Sequence, residues 1–139
     1  MLFGKRKRTI VRILIVEDEP LVAFDNEHFL RDAGYDIVAT VDRAGDALRF
    51  IAAGDLHLVL SDIRLTDGSG IDVAHAAQAQ GVPLLFVTGQ CPAEAEPLAK
   101  GVLAKPYNHR ELIAAIDALD AHMAGKPVKR LPAGLRLFS

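Results

Sequence analysis

Five polar residues with complementary chemistry each follow a short apolar run of the sequence. Glu17 and Asp18 follow the first of these runs, Asp62 follows another, and Thr88 and Lys105 come at the ends of the last two. Short apolar runs rich in β-branched residues are typical of buried strands. In an open parallel sheet the carboxyl ends of the strands line one crevice. We therefore expect these five side chains to meet at one edge of a sheet.

The combined chemistry of these residue types is that of a metal-assisted phosphoryl site. Clustered carboxylates repel one another unless a cation joins them, and Mg²⁺ commonly takes one or two carboxylates together with phosphate oxygens. A carboxylate such as Asp62 can also act as a nucleophile towards phosphorus. The ammonium group of Lys105 and the hydroxyl of Thr88 could then stabilise the new phosphoryl oxygens.

Each of these residues has an ordinary explanation when it is taken alone. An acidic pair after a strand is usual at a helix N-terminus, and Asp62 before a turn is a common Asx-turn residue. Thr88 suits the end of a strand, and lysines such as Lys105 are mostly solvated cations. The prediction of a site depends on all four positions lying at carboxyl ends of strands.

The elements that must position these residues alternate between strands and helices. Strands are predicted at residues 10–16, 35–41, 56–61, 83–88 and 102–104. Helices are predicted at residues 19–33, 44–53, 71–80 and about 108–123, the last one capped by Asn108. Alternation of this kind, with strands that are almost continuously apolar, indicates an α/β fold with a parallel sheet covered by helices on both faces.

Length and charge distribution predict one acidic domain with two basic tails. Residues 10–124 hold all 18 acidic residues but only eight of the 16 Lys and Arg residues, and the other eight lie in residues 1–9 and 125–139. An acidic body argues against nucleic acid as the main partner. The single cysteine, Cys91, fits a reducing compartment. Since no apolar run is long enough for a membrane span, we expect a cytoplasmic protein without a membrane partner.

Four short stretches resemble the signature motifs of response-regulator receiver domains. They are LIVEDEP at residues 14–20, LSDI at 60–63, FVTG at 86–89 and AKPY at 104–107. The resemblance covers about residues 10–124. It implies a doubly wound, flavodoxin-like fold with five parallel strands in the order 2-1-3-4-5.

The resemblance also implies a role for each acidic residue. Asp62 would be the phosphoacceptor, and Asp18 would bind Mg²⁺ directly together with Asp62. Glu17 would act on the metal mainly through water, and the backbone carbonyl of Arg64 would be a further ligand. No organic cofactor is expected.

The remaining implications concern the phosphoryl group and its donor. Thr88 and Lys105 would hold the phosphoryl oxygens, and the Lys105–Pro106 bond is expected to be cis. The donor would be a sensor histidine kinase or a histidine phosphotransferase. Because residues 10–124 form a single receiver with no DNA-binding domain beside it, we expect a stand-alone regulator that signals to a downstream protein partner by contact.

Two features depart from ordinary receivers. The aromatic switch residue that usually stands three positions before the lysine is replaced by Val102. The connection before it is short and contains Pro92 and Pro97, which predicts a shortened or disordered fourth helix. Residues 83–89 (PLLFVTG) resemble the PFxFATG motif of an alphaproteobacterial subclass associated with general stress signalling.

Two other classes of function remain as alternatives. A small Mg²⁺-dependent phosphohydrolase with an aspartyl nucleophile usually needs a second Asp two residues after the first, where this chain has Arg64. An interaction module without phosphorylation would have no use for an intact set of Asp18, Asp62, Thr88 and Lys105. We therefore expect a regulator, not an enzyme, with self-phosphorylation and slow autodephosphorylation only.

Overall fold

Six strands form the central sheet of the computed structural model, which describes residues 8–128 and 130–138. They are β1 (Arg12–Val16), β2 (Asp36–Val41), β3 (Leu58–Ser61), β4 (Leu84–Thr88), β5 (Gly101–Ala104) and β6 (Leu135–Leu137). Their order across the sheet is β2-β1-β3-β4-β5-β6. The first five strands are parallel, and β6 is antiparallel to β5. The predicted five-stranded parallel sheet in the order 2-1-3-4-5 is confirmed, and β6 extends it at one edge.

Helices cover both faces of this sheet. They are α1 (Pro20–Asp32), α2 (Ala44–Ala53), α3 (Gly70–Ala79) and α4 (His109–Met123), with a 3-10 helix at Ala93–Leu98. Buried side chains of α1 and α4 pack in one hydrophobic cluster, and those of α2 and α3 pack in another on the opposite face. The doubly wound α/β architecture predicted from the sequence is therefore present.

The apolar strands of the sequence are explained by this two-sided burial. In β1, Ile13 and Ile15 face the α1 and α4 cluster, whereas Leu14 and Val16 face the α2 and α3 cluster. All four side chains are essentially inaccessible to water. Alternate residues of a strand point to opposite faces, so a strand buried on both sides must be apolar at every position.

The connection between β4 and β5 contains the shortened helix that the sequence predicts. The 3-10 helix Ala93–Leu98 includes Pro97, which cannot donate a backbone hydrogen bond. Ala95 is fully buried, and Ala99 is also buried in the same cluster as α3. Of the two predicted alternatives, the shortened helix is confirmed, and the segment is anchored by small side chains.

The basic tails are described only in part. Lys5, Arg6, Lys7 and Lys129 lie outside the described residues. Arg8 donates to the carbonyl of Ala33 at 2.7 Å. At the other end, three residues of the predicted tail form β6 and belong to the sheet. No helix in the described part of the chain is long and apolar enough to cross a membrane.

A reciprocal pair of hydrogen bonds starts α4, the helix that follows the last parallel strand. The side chain of Asn108 accepts from the backbone N–H of Glu111 at 2.8 Å, and the Glu111 side chain accepts from the backbone N–H of Asn108 at 2.8 Å. This capping box satisfies two donors that the helix itself cannot pair. The predicted cap at Asn108 is confirmed.

Replacement of the cap should destabilise the fold measurably. We expect Asn108→Ala to lower the free energy of unfolding by about 1 kcal/mol, since an N-cap is lost. Urea denaturation of the two proteins gives the measurement. Asn108→Ser is the matched control because serine keeps an oxygen acceptor at this position. An equal loss in both variants would contradict the assigned role of the cap.

Candidate functional site

The carboxylates of the site lie side by side because of the register between β1 and β3. Val16 is paired with Ser61, so the next residues, Glu17 and Asp62, leave the sheet together. The backbone N–H of Asp62 donates to the carbonyl of Val16 at 3.0 Å. Carboxylate oxygens of Glu17, Asp18 and Asp62 all lie within 4.8 Å of one another. The predicted acidic cluster is therefore present at the carboxyl ends of the strands.

Lys105 reaches this cluster from the end of β5. Its ammonium group donates to Asp62 Oδ2 at 2.8 Å and to Glu17 Oε1 at 3.0 Å. A third carboxylate oxygen, Glu19 Oε1, lies at 3.4 Å from the same nitrogen. The Lys105 side chain is only 20% exposed. It joins the two buried carboxylates as the sequence predicts.

Burial and hydrogen bonding have opposite effects on the pKa of Glu17, and also on the pKa of Lys105. Burial raises the pKa of Glu17, although hydrogen bonds from Lys105 and from the backbone N–H of Glu19 oppose this effect. Burial alone would lower the pKa of Lys105, but its hydrogen bonds to Asp62 and Glu17 outweigh burial and raise it. Lys105 is therefore a fixed positive charge over the physiological pH range.

The two oxygens of the Asp62 carboxylate have different partners. Oδ1 accepts from the backbone N–H of Ile63 at 2.6 Å and lies 3.4 Å from that of Arg64. Oδ2 accepts from Lys105. Because the backbone holds Oδ1, the carboxylate presents Oδ2 to the cationic side of the site. The side chain is buried but still reaches the surface, since Asp62 is 7% exposed.

Thr88 is placed at the predicted edge, but its hydroxyl is bound elsewhere. The residue ends β4 and is buried, and its Oγ1 donates to the carbonyl of Gln90 at 3.1 Å. The backbone N–H of Lys105 donates to the carbonyl of Thr88 at 2.9 Å. Thr88 and Lys105 are thus tied through the main chain, and the threonine hydroxyl fixes the start of the following loop.

Arg64 begins a short hairpin after Asp62. Residues Arg64–Leu65 pair antiparallel with Gly68–Ser69, and the Arg64 side chain is exposed. Arg64 follows Asp62 by two positions in the chain. That the backbone carbonyl of Arg64 binds the metal ion stays a prediction.

The donor set of the cluster fits a hard divalent cation. Three carboxylates lie within one small volume, and a single ammonium group compensates them in part. Mg²⁺ prefers oxygen ligands and tolerates a site that leaves room for water and phosphate oxygens. Glu17, Asp18 and Asp62 are the residues that could hold such an ion.

A hydrogen bond close to the lysine, between Asn26 and Tyr107, was not predicted from the sequence. The Lys105–Pro106 bond is cis, as predicted. The next residue, Tyr107, accepts a hydrogen bond at its hydroxyl from Asn26 Nδ2 at 2.8 Å. Asn26 is a buried polar residue of α1. An asparagine within a helical pattern carries no sequence signal for this contact, because its partner is 81 positions away.

The backbone at Asp62 leaves no room for a side chain at Gly70, and the sequence pattern did not indicate this. A Cβ atom at Gly70 would lie 2.0 Å from the Asp62 carbonyl oxygen and 2.8 Å from Ile63 Cα. The backbone N–H of Gly70 donates to the carbonyl of Ile63 at 2.6 Å. The start of α3 thus packs directly on the backbone that carries Asp62, and only glycine allows this approach.

A side chain at this position should damage the fold around Asp62. We expect Gly70→Ala to lower the free energy of unfolding by about 2 kcal/mol, because the methyl group overlaps backbone atoms that cannot rotate away. Urea denaturation measures the loss. Gly68→Ala in the same hairpin is the control, since its nearest contact would be an ordinary 3.6 Å. Equal stability of Gly70→Ala and wild type would contradict the close approach.

Comparison with known proteins agrees with this geometry. The family model for the response regulator receiver domain matches residues 13–117. The transcriptional regulatory protein PdtaR of Mycobacterium tuberculosis is 31% identical over 115 residues, which are 76% of this chain and 55% of PdtaR. DltR of Streptococcus agalactiae is 33% identical over 113 residues, 76% of this chain and 50% of DltR. The chain thus spans about half the length of the curated relatives it matches.

Solved structures give the same result. A CheY-like receiver domain protein from Methanospirillum hungatei superposes with a TM-score of 0.72 at 28% identity, covering 84% of this chain and 99% of that one. The response regulator PhyR from Brucella abortus superposes with a TM-score of 0.68 at 27% identity, covering 86% of this chain and 51% of PhyR. This chain belongs to the response regulator receiver domain family.

Proposed function

We propose that the protein accepts a phosphoryl group on Asp62 from a phosphohistidine and signals the modified state through protein contacts. The donor would be a sensor histidine kinase or a histidine phosphotransferase. The observation that carries the proposal is the position of the Asp62 carboxylate, which lies 2.8 Å from Lys105 Nζ and within 4.8 Å of the Glu17 and Asp18 oxygens.

The transfer step follows from the two different oxygens of Asp62. An oxygen of the carboxylate attacks phosphorus, the bond from phosphorus to the donor histidine nitrogen breaks, and the imidazole, which carries a proton on its other nitrogen, leaves as a neutral ring. The backbone N–H of Ile63 holds Oδ1 at 2.6 Å and limits rotation of the carboxylate. Oδ2, which faces Lys105, is therefore the oxygen we assign as the nucleophile. Positioning of this kind is the main protein contribution to phosphoryl transfer.

Charge compensation comes from Lys105 and from a divalent cation. Lys105 is a permanent cation that can move from the Asp62 carboxylate to the phosphoryl oxygens formed on it. We assign Mg²⁺ to Asp18 and Asp62 directly, to Glu17 mainly through water, and to the carbonyl of Arg64. When bound, Mg²⁺ supplies positive charge to the carboxylates and to the phosphoryl oxygens.

Thr88 would report the modification to the loop that follows it. Its hydroxyl donates to the Gln90 carbonyl at 3.1 Å in the unmodified protein. To donate to a phosphoryl oxygen, the hydroxyl has to give up this bond. The start of the β4–β5 connection would thereby lose one of its anchors, which couples the chemistry to the 3-10 helix region.

We propose slow hydrolysis of the aspartyl-phosphate in place of enzymatic turnover on a substrate. A phosphohydrolase needs a general acid–base group beside the nucleophile. The position two residues after Asp62 is occupied by Arg64, whose guanidinium does not release a proton in proteins. The absence of a suitable proton carrier at this position favours a regulator.

We further propose that this receiver belongs to the PFxFATG subclass and acts in general stress signalling. The support is the PLLFVTG stretch at residues 83–89, Val102 in place of the aromatic switch residue, and the short 3-10 helix between β4 and β5. Stand-alone action through a downstream protein partner stays part of this proposal, because the matched relatives are about twice as long as the shared segment.

Modification should be confined to one residue. Incubation with acetyl phosphate and Mg²⁺ should add about 80 Da to the wild-type chain, the mass of one phosphoryl group. Asp62→Asn should stay unmodified, whereas the control Asp72→Asn, at an exposed acid in α3, should be modified like wild type. Intact-protein mass spectrometry gives the measurement. Fast turnover of acetyl phosphate without accumulation of the modified chain would favour the phosphohydrolase, and an unmodified wild type without turnover would favour the interaction module.

Binding of Mg²⁺ should depend on the carboxylate of Asp18. We expect Asp18→Asn to weaken Mg²⁺ binding about tenfold or more, because a neutral amide replaces one of three clustered charges. Titration calorimetry with MgCl₂ measures the affinity. Asp32→Asn, on the exposed end of α1, is the matched control and should bind as wild type does. Unchanged binding by Asp18→Asn would place the ion elsewhere.

A further inference from the structure

The outer edge of β5 accommodates an additional strand. β6 lies antiparallel along it, with Leu135 opposite Leu103 and Leu137 opposite Gly101. The backbone N–H of Ala104 donates to the carbonyl of Gly134 at 2.9 Å. A Cβ atom at Gly101 would lie 2.7 Å from the carbonyl oxygen of Arg136, so the lack of a side chain at position 101 is what admits the strand.

The segment that occupies this edge is a short strand of three residues. Leu135 is buried in the α1 and α4 cluster, whereas Leu137 and Phe138 are only half-buried against the two clusters. Arg136 forms an exposed ion pair with Glu96 of the 3-10 helix at 3.4 Å. Leu131, which precedes the strand, is 42% exposed. The backbone N–H of Phe138 also donates to the carbonyl of Lys100 at 2.8 Å, so the strand is held by main-chain bonds, one buried side chain and two half-buried ones.

The connection between α4 and β6 is also compatible with departure of β6 from the sheet. α4 ends at Met123, and β6 begins at Leu135. The connection contains Pro127 and Pro132, and its residues before Gly134 are mostly exposed. Departure of β6 would leave the main-chain groups of β5 unpaired, and an unpaired edge is a template for another strand.

We propose that the edge of β5 is a strand-binding site for an extended protein segment. Residues 130–138 of this chain cover the site in cis, and a partner segment with the same pattern takes it in trans. The pattern is a strand that runs antiparallel to β5 with leucines at alternate positions, as at Leu135 and Leu137. Main-chain hydrogen bonds to β5 give the affinity in this mode of recognition, and the alternate side chains give the specificity.

The inference goes beyond phosphoryl transfer and is tested in the unphosphorylated 139-residue chain. The probe is a fluorescein-labelled peptide with the sequence of residues 130–138, RLPAGLRLF. Leu135→Glu places a charge in the buried contact and releases the chain's own strand. We expect this variant to bind the peptide at least about tenfold more tightly than wild type by fluorescence anisotropy, because its site is no longer covered.

Two controls tie the binding to the edge of β5. Addition of Gly101→Ala to Leu135→Glu should abolish binding, because the new Cβ atom takes the place of the strand's carbonyl oxygen. Hydrogen exchange at the Ala104 amide should speed up in Leu135→Glu and slow again when the peptide is present. A scrambled peptide with adjacent leucines should not bind.

The outcomes decide the proposal in either direction. A folded Leu135→Glu chain, checked by circular dichroism, that fails to bind the peptide would overturn it, as would binding that survives Gly101→Ala. If Leu135→Glu does not fold, Leu137→Glu at the half-buried position takes its place with the same expectation. A dimer of the wild-type chain that Gly101→Ala disrupts would overturn the assignment to a partner protein, since the strand then comes from a second copy.

Discussion

The site depends on a charge imbalance in which one ammonium group faces two buried carboxylates. Lys105 is hydrogen-bonded to Glu17 and Asp62, and both acids are almost completely withdrawn from water. Burial of a charge without a full partner is unfavourable, which is why the pKa of Glu17 is raised. The folded chain therefore keeps a region of excess negative charge that any added cation stabilises. This residual instability suits reversible modification better than a fully paired ion network would.

The rest of the fold serves to bring these charges together at fixed spacing. Glu17 and Asp62 are neighbours because β1 and β3 pair Val16 with Ser61, and Lys105 reaches them because β5 ends beside β4. A shift of one residue in either register would turn a carboxylate to the other face of the sheet. Strands buried on both faces resist such a shift, since residues 13–16 of β1 and 58–60 of β3 all lie in a hydrophobic cluster. The stability of the sheet is thus what sets the precision of the site.

The strand ends and the site residues could be predicted from sequence because both depend on local patterns. An apolar run followed by an acid or a lysine indicates a position at the edge of a parallel sheet. Gly70 and Asn26 could not be found in this way, because their contacts are with residues elsewhere in the chain. Gly70 packs on the carbonyl of Asp62, and Asn26 donates a hydrogen bond to Tyr107. β6 escaped for the same reason, since three residues have no periodicity and only the edge of β5 makes them a strand.

The position of β6 changes how a signal can leave the site. In this chain Val102 stands where other receivers have an aromatic switch, and it is buried opposite Arg136. A small buried side chain cannot swing outward, so the side-chain route to the surface is closed. The main chain offers the remaining route. Lys105 is bonded through its backbone to Thr88, and its neighbour Ala104 is bonded to Gly134 at the start of β6. A displacement at the end of β5 therefore acts directly on the added strand, whose backbone is bonded to the strand that carries the lysine.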